Sequence, residues 1–212
     1  MVAILNFAVR LTINPLKTDE IMKHLLTLIL AMGAFALSAC SQSKADKASA
    51  IGSNEAKKAL VVYFSATGTT KQAAGLLAEA AHADIHEIVP EQPYTAADLD
   101  WTNKQSRSTV EMQDPKSRPA IKGKPIDATA YDTVYIGFPI WWNKAPTIVN
   151  TFIEQTDLKG KVLIVFATSG GNTTANATSE LKKAYPTLNW TDGGLLNSRT
   201  QEEAQELVDK MK

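Results

Sequence analysis

The sequence predicts an α/β domain built on a parallel sheet, and three observations carry that prediction. From residue 59 to the end of the chain, short apolar runs alternate with amphipathic helical patterns. The runs are continuously apolar, as strands covered on both faces require. Three of them lead directly into loops rich in hydroxyl, glycine or aromatic residues, on the side of an open α/β sheet where ligands bind. Strand–helix alternation with right-handed crossovers gives a doubly wound arrangement.

Five runs read as strands: Ala59–Phe64, Ile85–Val89, Thr133–Gly137, Val162–Ala167, and a weaker one near Leu188–Trp190 that could continue to Leu196. Between them, Thr70–Ala83 repeats alanine and leucine at helical spacing. Ala145–Gln155 places Ile148, Val149, Phe152 and Ile153 on one stripe, and Pro146 suits its first turn. Ala175–Ala184 is a weaker helix. Gln201–Lys212 closes the chain with Leu207, Val208 and Met211 facing inward. The connection from Pro90 to Tyr131 is longer than topology needs. A helix is expected from Ala96 to about Met112, followed by Pro115, Pro119 and Pro125. Excess loop of this kind builds a site or covers a sheet edge. Trp101 within it could cover a ligand or simply pack.

The loop after the first run is Ser65-Ala66-Thr67-Gly68-Thr69-Thr70. Four hydroxyls surround one glycine, and no basic residue lies among them; Lys71 follows. Backbone N–H groups, hydroxyls and a helix N-terminus together can hold a phosphate. The spacing matches neither GxxxxGK[ST] nor GxGxxG, which sets aside nucleoside triphosphates and dinucleotides. A single terminal phosphate held by neutral donors remains, and flavin mononucleotide (FMN) is the common cofactor that fits. An ordinary strand–helix turn would need only one of the four hydroxyls, as a helix cap.

The loop after the third run is Gly137-Phe138-Pro139-Ile140-Trp141-Trp142-Asn143, and the loop after the fourth is Thr168-Ser169-Gly170-Gly171-Asn172. With Ser65–Thr70 in front, this order of motifs resembles the flavodoxin family over about residues 58–212. In detail it is most similar to flavodoxin-like proteins with a Pro-x-Trp-Trp loop. The resemblance implies a flavodoxin-like doubly wound five-stranded parallel sheet of order 2-1-3-4-5, helices on both faces, and FMN beside the switch between strands 1 and 3. It implies that Ser65, Ala66, Thr67, Gly68, Thr69 and Thr70 take the phosphate. Pro139, Ile140, Trp141, Trp142 and Asn143 would lie against the ring, with Thr168, Ser169, Gly170, Gly171 and Asn172 around its pyrimidine side. One tryptophan is expected to stack on the flavin and the other to pack against the domain. Similar proteins would carry glycine where this chain has Asn143, the non-glycine residue most tolerant of positive φ. Asn143 is expected to restrict a peptide flip toward the flavin N5; a simple turn residue is the alternative. Backbone N–H groups of the 168–172 loop are expected near the flavin O2 and N1. No Asp or Glu occurs from 168 to 179, which predicts a less strongly reducing flavin than an acidic surround would give.

The resemblance leaves three functions open: electron transfer between partner proteins, NAD(P)H-dependent reduction of a quinone or similar acceptor, or a binding module without cofactor. The chain has 212 residues, is 44% hydrophobic and 21% charged, and has a formal net charge of zero, so nothing points to nucleic acid. His82 and His86 lack partners in a recognised metal spacing, so no metal is expected. No hydrolytic triad is readable.

The one cysteine, Cys40, follows an apolar run from Leu25 to Ala39, with Lys23 and His24 ahead of it and Leu37-Ser38-Ala39 directly before it. This order resembles a bacterial lipoprotein signal. It implies cleavage before Cys40, a lipid on its thiol, and a membrane anchor in the cell envelope. The outer membrane is favoured because Ser41 is not acidic. A plain secretory signal or a buried N-terminal helix is the alternative, and the chain would be cytoplasmic if the signal is unused. Residues 1–39 are thus expected to be an N-terminal extension and signal peptide, with Met22 a better start than Met1. Residues 40–58 are expected to be the lipidated cysteine and a flexible tether, since their small polar and charged residues cannot form a core. Residues 59–212 form the domain.

Overall fold

In the computed structural model, residues 58–212 are described. The expected signal peptide, Cys40 and all of the expected tether except Lys58 lie outside them. Five parallel strands form one sheet: β1 (Ala59–Tyr63), β2 (Asp84–Glu87), β3 (Thr133–Pro139), β4 (Val162–Thr168) and β5 (Asn189–Leu195). Their order is β2-β1-β3-β4-β5, as the resemblance implied. Five helices connect or follow them: α1 (Thr69–Ala80), α2 (Arg107–Gln113), α3 (Thr147–Gln155), α4 (Ala175–Ala184) and α5 (Gln201–Lys210).

The period of two along each strand divides the core into two layers. Leu60, Val62 and Phe64 join Val134, Ile136 and Phe138 on one face, under Ile148, Val149 and Phe152 of α3. Val61, Tyr63, Tyr135, Ile164 and Phe166 form the other face, under Leu77 of α1 and Leu207 and Val208 of α5. Gly137 in β3 is fixed by this packing. A Cβ there would stand 2.1 Å from the Phe166 ring.

Three elements differ from the sequence expectation. The second strand is Asp84–Glu87 instead of Ile85–Val89. It pairs only with β1 at the sheet edge, and Ile85 is half exposed, so it lacks the double cover that its apolar residues suggested. The helix expected over 96–112 is confined to Arg107–Gln113. Ahead of it, Asp98 accepts from Thr95, Asp100 from Thr102 and Asn103 from the Gln105 N–H. These local side-chain bonds hold successive turns that compete with helix. Ser106 then caps α2 by accepting from the Thr109 N–H. The fifth strand is Asn189–Leu195, with a register shift against β4 after Val165.

Candidate functional site

The loops that leave β1, β3, β4 and β5 meet at the carboxyl edge of the sheet. In the first, the Ser65 hydroxyl accepts from the Gly68 N–H at 3.1 Å, and Gly68 sits at φ 90, where a side chain would be strained. Gly68 is also the N-cap of α1, and no side chain caps this helix. Its carbonyl accepts from the Gln72 N–H at 3.1 Å, which leaves the N–H groups of Thr69, Thr70 and Lys71 without intrahelical acceptors. The exposed Thr67 and Thr69 hydroxyls lie 3.4 Å apart beside them. Thr70 is buried, and its hydroxyl is paired with that of Thr168 at 2.8 Å, which ties the first loop to the end of β4. The Lys71 ammonium is turned away onto Glu87 at 2.9 Å, so the loop keeps its neutral donor set.

Pro139 ends β3, and the Ile140 N–H donates to the Thr168 carbonyl. Trp141 and Lys144 exchange two backbone bonds, at 3.0 and 2.9 Å. The two residues between them, Trp142 (φ 46) and Asn143 (φ 61), are both left-handed. This is the conformation of a two-residue hairpin turn, and it suits Asn143 but strains Trp142. The Asn143 carbonyl accepts from the Asn176 side-chain amide at 2.8 Å. The peptide between Asn143 and Lys144 is therefore held at both ends. Trp141 packs edge-on against Phe64 at 5.6 Å and Tyr94 at 5.4 Å. Tyr94 is itself fixed by the Arg107 guanidinium 4.0 Å over its ring and by a bond to Glu111. Burial first, and Glu111 second, push the Tyr94 phenol above its usual range, so it stays neutral. Trp142 remains 44% exposed. Trp141 is thus the tryptophan that packs on the domain.

The third loop is held from the fifth strand. The Asn197 side chain accepts from the Ser169 N–H at 2.9 Å and donates to the Ser169 carbonyl at 2.8 Å. The Ser169 hydroxyl accepts from the Gly171 and Asn172 N–H groups. In this conformation three of the backbone donors expected to face the ring are engaged within the protein, which leaves Gly170 as the free one in the loop. Asn197 was not anticipated, and neither was Arg199, which lines the same cleft as Thr67 and Thr69. Arg199 has a left-handed backbone (φ 52). Its guanidinium approaches Gln72 in the first turn of α1 at 3.5 Å. Both follow the carboxyl end of β5, so the rule that singled out the other three loops applies to them equally.

Two adjoining cavities result. An open cleft of about 570 Å³ runs from Thr67 and Thr69 past Trp141 to Thr168, Gly170 and Arg199. A second, of about 430 Å³, lies between the Trp141-Trp142 turn and Leu99, Trp101 and Ser108 of the long connection. Thr67, Pro139, Ile140 and Trp141 border both. Among the described residues, no group of three or more His, Cys, Asp or Glu side chains is placed to hold a metal.

A family model described as flavodoxin matches residues 58–211. Among solved structures, a candidate flavoprotein from Bacteroides uniformis shares 55% identity, covering 72% of this chain and 98% of its own, with a TM-score of 0.71. One from Bacteroides eggerthii shares 56% over 72% and 96% of the two chains, with a TM-score of 0.70. A flavoprotein from Lactobacillus acidophilus, solved in complex with FMN, shares 26% over 73% and 98%, with a TM-score of 0.57. No curated protein matches the chain.

Proposed function

We propose that this chain, which belongs to the flavodoxin family, is an FMN-binding redox protein that passes electrons through a non-covalently bound flavin. The observation that carries this reading is the start of α1. Three backbone donors stand unsatisfied there, beside the Thr67 and Thr69 hydroxyls, in an open cleft bordered by Trp141. That donor set fits a phosphate monoester. The FMN complex of the Lactobacillus acidophilus relative supports the same cofactor.

When bound, the flavin supplies the redox chemistry, and the protein supplies binding, orientation and field. The Thr69, Thr70 and Lys71 N–H groups and the Ser65, Thr67 and Thr69 hydroxyls would hold the phosphate, with Arg199 adding a positive charge. Trp141 would offer its free face to the ring, held rigid by Phe64 and Tyr94. The Gly170 N–H would donate to the pyrimidine side. The absence of carboxylates from 168 to 179 would favour negative charge on the reduced ring and make the flavin less strongly reducing.

A second reading, an NAD(P)H-dependent oxidoreductase for a quinone or similar acceptor, is favoured by one observation: the long connection forms one side of a mainly apolar cavity next to the cleft. A carrier that only docks redox proteins has no use for that cavity. For the N-terminal part, the proposal is lipidation of Cys40 and anchoring in the bacterial cell envelope.

The test is a titration of the purified protein with FMN, followed by visible absorption. Saturable one-to-one binding with shifted flavin bands is expected. Adding NADPH and a quinone then separates the two readings, since rapid quinone-dependent NADPH consumption belongs to the oxidoreductase and its absence to the carrier. No band shift at micromolar FMN would overturn both and leave a flavodoxin fold used as a binding module.

A further inference from the structure

Two tryptophans stand largely in water at the carboxyl edge of the sheet. Trp101 is 75% exposed and Trp142 44%. Neither borders the open cleft assigned to the flavin. Both line the smaller cavity of about 430 Å³, together with Leu99, Ile140 and Trp141, and no charged side chain lines it. The two indoles are held in place by turns. Asp100 accepts from the Thr102 N–H and hydroxyl just after Trp101. Trp142 occupies the left-handed turn whose Asn143 carbonyl is bonded by Asn176. Large exposed aromatic side chains around one apolar mouth mark a contact with a protein or a membrane. Three features select the membrane. An indole, with an apolar body and one N–H donor, suits the level of lipid headgroups. Cys40, the expected lipid carrier, is joined to Lys58 by residues 41–57, which reach at most about 60 Å. Lys58 enters β1 at the opposite edge of the sheet, and β1 is only about 17 Å long, so the tether lets the carboxyl edge turn to the same membrane. Near the two indoles in sequence, Asp98 and Asp100 are balanced by Lys104 and Lys144. A face without net charge suits zwitterionic headgroups and has no preference for an anionic surface.

We propose that the face carrying Trp101 and Trp142 docks on a zwitterionic lipid bilayer, with both indoles at the headgroup level and the mouth of the apolar cavity turned to the lipid. The inference rests on the reading of Cys40 as a membrane anchor. Two indoles alone hold a domain weakly, and the tether supplies the high local concentration that makes the contact persist.

The experiment uses the full chain, purified from bacterial membranes and reconstituted by detergent removal into phosphatidylcholine vesicles. A matched set of vesicles carries acyl chains brominated near the headgroup, which quench an indole only on close approach. All four tryptophans lie in the described domain. Of the other two, Trp141 packs on Phe64 and Tyr94 and Trp190 is buried. Brominated lipid should quench the parent. Trp101→Phe and Trp142→Phe should each remove part of the quenching, and the double variant should lose nearly all of it. The quenching should persist as salt is raised from about 0.05 M to about 0.5 M, since the contact is apolar. Trp101→Ser should lose quenching and keep its FMN affinity, which also reports that it is folded. An unquenched parent, a double variant quenched like the parent, or quenching that salt abolishes would each overturn the proposal. So would loss of FMN binding in Trp101→Ser, which would make that indole a cover for the flavin. Indoles shielded from acrylamide on the vesicles yet unquenched by bromine would be covered by protein, and the proposal fails there too. Mass spectrometry of the same chain reports the lipid on Cys40. A chain without it that keeps the apolar run Leu25–Ala39 still enters the vesicles, so failure of the anchor reading and failure of the docking face are read separately.

Discussion

The adjacent residues Trp141 and Trp142 are chemically identical and should respond unequally to removal. Trp141 makes two edge-on contacts, with Phe64 and Tyr94, each contributing about 0.5–1.5 kcal/mol beyond burial. Its partial burial removes roughly 100 Å² of apolar surface from water, which at about 25 cal/mol per Å² adds about 2.5 kcal/mol. Trp141→Ala should therefore cost about 4 kcal/mol. Trp142 occupies a left-handed conformation at φ 46 and is 44% exposed. Trp142→Gly relieves about 1–2 kcal/mol of backbone strain and loses about 0.5–1 kcal/mol through the greater freedom of glycine when unfolded, together with some side-chain contact. The net change should stay within about 1 kcal/mol. In urea, with a slope of about 2 kcal/mol per molar, the midpoint of Trp141→Ala should fall by about 2 M and that of Trp142→Gly should move by less than about 0.5 M. Equal losses for the two variants would mean that Trp142 also packs on the core, and the assignment of Trp141 as the tryptophan that packs on the domain would be wrong.

Arg199→Gln should weaken FMN about fivefold, the effect of one unit charge about 4 Å away in a high dielectric. It should leave riboflavin, which lacks the phosphate, unchanged, and the difference should shrink as salt is raised; an equal loss for both ligands in fluorescence titration would remove Arg199 from the phosphate. Gly137→Ala places a methyl group 2.1 Å from the Phe166 ring. It should cost about 1–3 kcal/mol by overpacking, read as a lowered thermal midpoint, and Phe166→Leu in the same chain should recover part of it. Burial beneath Phe152 lowers the His86 pKa below its ordinary 6.5. The unfolded chain then binds the extra proton first, so this contribution to stability is full above pH 6.5 and is lost as pH falls below it. His86→Gln should flatten that part of the stability profile between about pH 7 and 5.5, and an unchanged slope in urea titrations would exclude His86 as its source.

The sheet was legible because its central strands are unambiguous. Val162–Ala167 and Thr133–Gly137 are apolar on both faces, and no helix of that length would read the same way between glycine and proline. The edge strand is harder to place because Ile85 and Val89 are apolar yet exposed; edge position, which is set by the partner strand, is not written in the strand's own residues. The long connection failed for a different reason. Residues 96–112 have adequate helical propensity, but Asp98, Asp100 and Asn103 satisfy neighbouring backbone and hydroxyl donors directly, and that competition appears only in three dimensions. At the site, the hydroxyl loop, the tryptophans and the glycine pair could be found because each is unusual where it stands. Arg199 and Ser108 are ordinary residues in sequence. Arg199 matters because β5 ends beside β4, and Ser108 because α2 brings it to the wall of a cavity that Ala66 of the first loop also lines.

The two cavities also bear on the choice between carrier and oxidoreductase. A carrier exchanges electrons across a protein surface, and selection on it acts on the charges around an exposed flavin edge. This domain instead spends its departures from the simple fold on the other side of the ring site. The residues added between β2 and β3 place Trp101 and Ser108 against the cavity and set Tyr94 beneath Trp141, where Arg107 and Glu111 lock it. Tyr94 and its two partners thereby hold the wall shared by cavity and cleft. A rigid shared wall has a purpose when a bound molecule must lie at a set distance from the flavin, and little purpose when the partner is a mobile protein. The argument has a direct consequence for Tyr94→Leu. If the wall serves a small acceptor, loosening it should impair quinone binding while FMN affinity changes much less, because the backbone donors at the start of α1 do not touch Tyr94. If the domain is a carrier alone, the same substitution should lower stability and nothing else, as measured by quinone dialysis, FMN titration and urea unfolding on the one variant.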